Sequence, residues 1–480
     1  MPSWEKLWQK RSGKYCRQKV TSLKRVDFEH GSIGGNILQT ALPMLVAQLI
    51  NLLYNIVDRI YIGRIPGTGT EALGAVGLCF PFVMLIAAFT NMFGLGGAPL
   101  FSIQMGKQKR KNAGAVLNSA FRLELISGLL LFVFCEIFAE VILRLFGASE
   151  NELIFALPYI RIYLMGTVFS SIATGMNPYI NSQGYAMIGM VTVLIGAVAN
   201  IVLDPVFIFA LGLGVSGAAI ATVLSQGLSM LFVLSFLFGK NNDHPILYVK
   251  RIDTEEGNSA FLPFAREIMA LGLSPFIMQF TNALTIIACN KMLLYVGGAM
   301  YVSAMTIISS VRQILDTPVI AITEGSSPTI SYNYGAARPN RVRRAMLLMA
   351  GMAIGYTCLM WLFIEWKPEL LIAIFTEDTG LMELAKRPLH LYFYAFIFQS
   401  LQYSGQTVFK ALNKKNHAVF FSIFRKVILV VPLTILLPTV FSFGTDGVFL
   451  AEPVSNVVGG LACMITMLLT VLPELKRMEK

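Results

Sequence analysis

Charge is scarce in this chain. Only 14% of its 480 residues are Asp, Glu, Lys or Arg, where a soluble domain carries about a quarter. Too few charges remain to cover a water-facing surface, which excludes an ordinary soluble enzyme. Histidine is scarcer still: His30, His244, His390 and His417 are scattered, and three fall near loops or segment ends. No H-E-x-x-H motif and no carboxylate pair at metal-ligand spacing appears, so an intramembrane enzyme has no centre to rest on, and no cofactor is expected. The six cysteines (Cys16, Cys79, Cys135, Cys289, Cys358, Cys463) lie far apart, five of them in apolar segments. None has redox or metal spacing, and they read as small buried apolar side chains. The basic stretch Met1–His30 lacks an apolar core before a small-residue cleavage site, so it is not read as a signal peptide. No ion-filter motif is visible either, which argues against a channel.

What is present is apolar. Hydrophobic residues make up 55% of the chain, and the mean hydropathy is +0.65. Runs long enough to span a bilayer, ~20 residues each, recur along nearly the whole length. They predict an all-α polytopic membrane protein with twelve spans, near 36–64, 71–104, 113–145, 153–181, 185–211, 215–239, 264–296, 299–332, 340–365, 381–411, 417–440 and 447–472. The net charge of +11 does not point to nucleic acid. The basic residues form short clusters between spans, with no aromatic-interleaved patch. Lys107, Lys109, Arg110 and Lys111, then Arg338, Arg341, Arg343 and Arg344, then Lys410, Lys414 and Lys415, then Lys476, Arg477 and Lys480 all fall on one side of a twelve-span count. The opposite loops hold Glu150 and Glu152, or Glu369, Glu377 and Asp378. By the positive-inside rule both termini are cytoplasmic and the chain sits in the cell membrane among lipids. The expected organisation is a basic leader over 1–35, a six-helix lobe over 36–239, a polar cytoplasmic linker over 240–263, a second six-helix lobe over 264–472 and a tail over 473–480, acting as a monomer.

The two halves repeat. Gly97-Ala98-Pro99-Leu100-Phe101-Ser102 through Gly106 falls on Ser326-Ser327-Pro328-Thr329-Ile330-Ser331 through Gly335 at an offset of 229, as do Phe146 on Phe375 and Tyr163 on Tyr392. Gly214-Val215-Ser216-Gly217 falls on Gly444-Thr445-Asp446-Gly447 at 230, and Gln48 and Asn51 fall on Gln279 and Asn282 at 231. An offset spanning six helices keeps orientation, so the repeat is parallel about an axis along the membrane normal, with substrate sites between or within the halves.

Ionisable groups inside spans are costly and mark function by default. Gln48, Asn51, Asn55 and Asp58 recur at steps of three, four and three on the first span, a polar stripe that must face a cavity or other helices. Gln279 and Asn282, their repeat partners, join Gln48, Asn51 and Asn55 as candidate substrate-cavity residues. Asn200 and Asp204 share a face of the fifth span, and Pro205 directly after frees a backbone carbonyl. Counted from the turn near Leu213, Asp204 and Thr222 sit at one depth, roughly 13 Å in, and Asp58 lies at roughly 12 Å by a similar count. Asp58, Asn200, Asp204 and Thr222 are therefore the candidate cation site, a sodium site if sodium is the coupling ion. Two carboxylates in a poorly hydrated pocket cannot both stay charged cheaply, so proton or sodium binding there becomes a switch that biases one conformation. Elsewhere, Arg312 and Asp316 are expected to pair, and Glu124, near Arg122, to be solvated or paired. Glu136, Glu140 and Arg144 are read as an i, i+4 series. Lys291, Glu324 and Glu452 stay open, and Glu452, on the repeat position of Thr222, is a candidate second acidic site. A cavity lined by some of the 23 Met and 34 Phe would suit varied apolar ligands.

At these residues the chain resembles the multidrug and toxic compound extrusion (MATE) family. The resemblance rests on Tyr54-Asn55-Ile56-Val57-Asp58-Arg59-Ile60-Tyr61-Ile62-Gly63, Ala72-Leu73-Gly74-Ala75-Val76-Gly77, Asn200-Ile201-Val202-Leu203-Asp204-Pro205, Gly214 through Thr222, and Pro328 through Ala336. It implies a V-shaped pair of six-helix lobes that exports small organic compounds, often cationic or amphipathic, in exchange for sodium or protons. It also implies that Asp58, Asn200, Asp204 and Thr222 form the cation site of the N-terminal lobe. Some relatives carry an essential acid in the seventh span; Thr281 through Asn290 holds none here. A flippase for lipid-linked saccharides, from the wider superfamily, is the alternative. It would favour a basic, arginine-lined cavity, whereas the early stripe is acidic and amide-rich.

Overall fold

The computed structural model describes residues 25–239, 247 and 261–479. Most of the expected leader, nearly all of the linker, Cys16 and the terminal Lys480 therefore lie outside the described residues. The first half runs α1 (Ile33–Gly63), α2 (Gly69–Leu78), α3 (Phe80–Gly106), α4 (Arg110–Leu145), α5 (Glu150–Met165), α6 (Thr167–Gly175), α7 (Asn177–Ser182), α8 (Ala186–Pro205) and α9 (Gly214–Leu237). The second runs α10 (Phe261–Val296), α11 (Ala299–Gly335), α12 (Pro339–Trp366), α13 (Pro368–Ala373), α14 (Thr379–Phe393), α15 (Phe396–Ala411), α16 (Lys415–Ile423), α17 (Val431–Thr439) and α18 (Gly444–Met478).

Among the described residues ten helical stretches are long and apolar enough to cross a membrane, and α5 with the helices after it adds an eleventh, bent by 53°. The expected unbroken span over 153–181 is thus a broken one, interrupted at Gly166 and again at Met176 before Pro178. The span over 71–104 likewise breaks at Cys79, where Pro81 starts the next helix. Glu150–Ser182 maps at an offset of 229 onto Thr379–Ala411, which is α14 and α15 together. That pair occupies the place of the expected tenth span. It falls short in apolarity because its inner face buries Gln399, Gln402, Gln406 and Lys410.

The repeat becomes physical where the halves meet. A side chain at Gly106 would overlap the carbonyl of Tyr332, and one at Gly335 would overlap that of Ile103. These are one contact seen twice, since 103 and 106 map on 332 and 335 at 229. Gly96 lies against Gly272, and Gly325 against Ala41, which are again partners under the repeat offsets. Thr40 Oγ1 donates to the Gly325 carbonyl at 2.5 Å. All four approaches lie toward the end of the bundle that carries the basic loops, so the lobes are pressed together there by backbone-to-backbone contact. The second turn shared by the halves has the same logic. Gly214 and Gly444 hold φ of 54° and 57°, and a Cβ on Gly217 or Gly447 would strike the backbone of the preceding helix.

A short segment over 25–31, which turns at Phe28–His30, ties this closure across both lobes. Val26 N donates to Gly184 O at 2.9 Å on the first lobe, and Arg25 Nε donates to Gln183 O at 3.1 Å. On the second lobe Arg338 Nη1 donates to Glu29 O at 2.7 Å and its Nη2 to Glu29 Oε1 at 2.8 Å. Arg341 donates to Gly31 O at 2.7 Å, to Phe28 O at 3.3 Å and to Asn333 Oδ1 at 2.8 Å. Val26 and Phe28 are buried beneath. Hydrogen bonds from a charged donor contribute about 1.5–3 kcal/mol each. Arg341→Ala is therefore expected to speed amide hydrogen exchange over 26–31 by at least about tenfold. The exposed Arg343→Ala, measured alongside, should leave those amides unchanged.

Candidate cation site and adjoining cavity

Helix α1 packs along α8 and touches α9, so the polar stripe of the first span meets the acid of the fifth. Asp204 is fully buried. Asn200, one turn earlier on α8, donates through Nδ2 to Asp204 Oδ1 at 3.0 Å and to Thr222 Oγ1 on α9 at 3.4 Å. Asp58 lies half-buried on α1, close enough to act electrostatically on Asp204. Pro205 has no N–H to offer the Ile201 carbonyl one turn earlier, and the chain widens after it into a π-helical turn over Val206–Ala210.

Three buried oxygens in this cluster accept nothing: Asp58 Oδ1, Asn200 Oδ1 and Asp204 Oδ2. Buried acceptors without donors are costly. An all-oxygen set with two carboxylates is the chemistry of a hard cation or a proton. The residues thus fit sodium or a proton. No group of three or more His, Cys, Asp or Glu that could hold a metal ion occurs among the described residues, which separates this site from a multi-acid divalent centre.

Below the cluster, away from the outer turn at Leu213, opens a cavity of about 290 Å³. Gln48, Asn51 and Tyr54 of α1, Asn177 and Asn181 of α7, and Asn200, Thr222 and Gln226 of α8 and α9 line it. Of the expected cavity residues, Gln48 and Asn51 therefore line a cavity inside the first lobe. Asn55 points out, exposed, with its amide on Asn51 O at 2.6 Å. Gln279 on α10 donates to Met84 Sδ at 3.3 Å across the lobes, and Asn282 is half-buried on the same helix; neither lines this cavity. Nor is the wall rich in Met and Phe: Met44 is its one methionine and no phenylalanine reaches it. Tyr54, Asn177 and Asn181 are wall residues that the sequence does not mark, because a single Asn or Tyr in a span gives no sign of which face it takes.

Other charges are settled by packing. Arg312 pairs with Asp316 at 3.2 Å as expected, and Gln399 donates to both Asp316 oxygens at 3.0 Å. Glu452 is not an open acid: Arg312 Nη2, Arg425 Nη1 and Lys426 Nζ reach its Oε1 at 2.9, 3.1 and 3.1 Å. Glu324 is taken by Lys410. Glu140 pairs with Arg144 at 2.9 Å, but Glu136 pairs with Arg161 at 3.4 Å. Glu124 is neither solvated nor paired with Arg122. It is fully buried with both oxygens unpartnered, while Arg122 lies over the Phe261 ring, because residues two apart on a helix point away from each other.

The sequence model of the MatE family matches residues 43–206 and 275–436. The multidrug export protein MepA of Staphylococcus haemolyticus (strain JCSC1435) is 23% identical over 421 residues, 88% of this chain and 90% of its own. MepA of Staphylococcus aureus (strain MRSA252) is 22% identical over 440 residues, 91% of this chain and 94% of its own. An outward-facing multidrug resistance MATE transporter of the MOP superfamily superposes with a TM-score of 0.86 at 22% identity, over 95% of this chain and 99% of that one. A MOP superfamily transporter from Pyrococcus furiosus Vc1 (DSM3638), for which a binding pocket of reverse polarity suggests a different function, does so with 0.86 at 21% identity and the same coverage. Matched in both halves by the family model and along nearly its whole length by these transporters, the chain belongs to the MatE family.

Proposed function

We propose that the chain is a secondary active exporter of small organic compounds, working by exchange for a proton or sodium ion bound at Asp58, Asn200, Asp204 and Thr222. One observation carries the reading: Asn200 and Thr222 belong both to the oxygen cluster and to the cavity wall. A cation drawn onto the unpartnered oxygens and a compound seated against the same two side chains compete for them. Competition for shared groups is what couples two ligands without a separate relay. The MepA relatives export drugs, which agrees with a cavity for organic compounds. The basic loops favour an orientation with both termini in the cytoplasm, and on that orientation the lobes are closed on the cytoplasmic side. A six-helix lobe over 36–239, a linker over 240–263 and a second six-helix lobe over 264–472 remain the organisation proposed here, and a monomer suffices because the site lies within one lobe. A lipid-linked saccharide flippase would want a basic cavity, and no charged side chain lines this one.

The test is gradient-driven uptake into inverted vesicles, with proton and sodium gradients imposed separately. Ethidium and labelled adenosine serve as an organic cation and a polar neutral probe. One gradient is expected to drive the native chain, and Asp58→Asn and Asp204→Asn each to lose at least about tenfold of that drive at normal expression, since each removes the charge that attracts the ion. Full gradient response in both variants would sink the assignment.

A further inference from the structure

One fully buried acid of the first lobe stands outside both the cation cluster and the ion pairs. Glu124 of α4 has no accessible surface, and neither of its oxygens meets a donor. Its place is made by Gly175, the last residue of α6. A Cβ there would stand 2.0 Å from Glu124 Oε1, so the carboxyl fills the space that the glycine leaves. Gly94 of α3 presses on the same residue, where a Cβ would come within 2.8 Å of Gly175 O. Gly175 also marks the second break of the bent span, with Met176 between α6 and α7 and Pro178 just beyond. Ala173, Thr174, Asn177 and Pro178 line the cavity. Glu124 thus abuts the segment whose neighbouring residues form the cavity wall, without reaching the cavity itself.

No neighbour holds the acid there. Helix α4 packs against α3, α5, α6 and α10. Neither α3 nor α6 carries a titratable side chain. Tyr159, Arg161 and Tyr163 of α5 and Arg266 and Glu267 of α10 make no bond to it, and Arg122 on its own helix lies over Phe261. Tyr179 of α7 is near enough to act on it electrostatically, but gives its hydroxyl to Phe93 O at 2.8 Å. Nor does the fold need an acid at this point. At the offset of 229, Glu124 falls on Ala353 and Gly175 on Ser404, both buried, so the second lobe closes the same junction without one. A carboxylate stripped of water and given no donor is the costlier form, and in this packing Glu124 is the neutral acid.

We propose that Glu124 is a proton-exchanging residue of the transport cycle, separate from the cation cluster and gated by the break over 175–178. Pro178 has no N–H, and Met176 O is shared by Tyr179 N at 3.1 Å and Ile180 N at 3.4 Å. The helical ladder is therefore interrupted where the carboxyl touches it. A shift of that segment admits water from the cavity to the carboxyl. Its O–H bond breaks, the proton passes to water, and the carboxylate stays solvated until a proton returns. The packed junction reforms only around the acid, so protonation favours it over the shifted one, as any ligand favours the state it binds better.

Infrared spectra of the reconstituted full-length chain test the exchange without substrate or gradient. The carbonyl band of a carboxylic acid free of hydrogen bonds is expected in the native chain and absent in Glu124→Gln and Glu124→Met. In heavy water that band should shift at least about a hundredfold faster than the slowest backbone amides exchange, since those open only through global unfolding. A second arm rests on the exporter reading. Glu124→Met, close in shape and apolar, should keep or raise the thermal midpoint in detergent, while gradient-driven ethidium uptake falls at least about tenfold. A band that is missing, or that outlasts the core amides, overturns the proposal, as does native uptake in Glu124→Met. A lowered midpoint in Glu124→Met would make the acid structural and overturn it too. If the native chain takes up no ethidium under either gradient, the exporter reading fails for that probe and the infrared result alone decides the proton site.

Discussion

Gly272→Val should force the lobes apart at the basic end and leave the protein unable to complete its closed state. A side chain at 272 would overlap the backbone carbonyl of Met92, and its neighbour Gly96 faces it from α3. The Met92 side chain also lies close, but turning it leaves the overlap with its own carbonyl, so the clash cannot be relieved by a rotamer change. Overpacking in a close-packed interior costs about 1–3 kcal/mol, and a branched side chain against main chain sits at the upper end. A bias of about 3 kcal/mol changes a two-state population by roughly a hundredfold. The readout is the distance between spin labels on Lys107→Cys, just after α3, and Asn340→Cys, in the first turn of α12, both at the basic end and one on each lobe. Gly272→Val should move the label distribution to longer distances and cut transport at least about tenfold. Gly351→Val, in a helix where a Cβ meets nothing within 4 Å, is the matched control and should change neither. A native distance distribution in Gly272→Val would show that the lobes do not rely on this contact.

The same glycines make the repeat legible without a structure. Gly106 and Gly335, or Gly217 and Gly447, are pinned by contact with backbone, so both halves keep a glycine at the same register. The spans are legible because lipid leaves long apolar runs, and the tenth is the hardest because α15 turns glutamines and a lysine inward. The kinks at Gly166 and Met176 are not legible, since glycine and proline in a span permit a break without requiring one.

The candidate cation site is legible because an acid within an apolar run is costly and marks function by default, and helical spacing puts Asn200 and Asp204 on one face. Depth can be counted from the turn; the lateral meeting of α1, α8 and α9 cannot. Contacts between distant helices are hidden for the same reason. Arg425 and Lys426 precede Glu452 by more than twenty residues, and nothing in their spacing says that they turn onto it.

That hidden cluster supplies the larger stability effect. At an offset of 230, Glu452 stands where Thr222 does, Thr434 where Asp204 does, and Lys426 where Gly196 lines the cavity. The second lobe thus has its acid already covered by cations of the chain itself, Arg312, Arg425 and Lys426. With Asp316 the buried count is three cations to two carboxylates. Glu452→Gln leaves three against one, and removing one partner of a buried pair costs about 3–5 kcal/mol. It is expected to lower the thermal midpoint in detergent by about 5 °C or more and to reduce the folded yield. Lys426→Met alone brings the count to two against two and should be neutral or mildly stabilising. In the double variant the net charge returns to the native value, so at least half of the loss should be recovered, a coupling that a double-mutant cycle reads directly. Additive losses from the two changes would mean that Lys426 does not serve Glu452. Recovery would show that the chain's own cations hold the acid of this lobe.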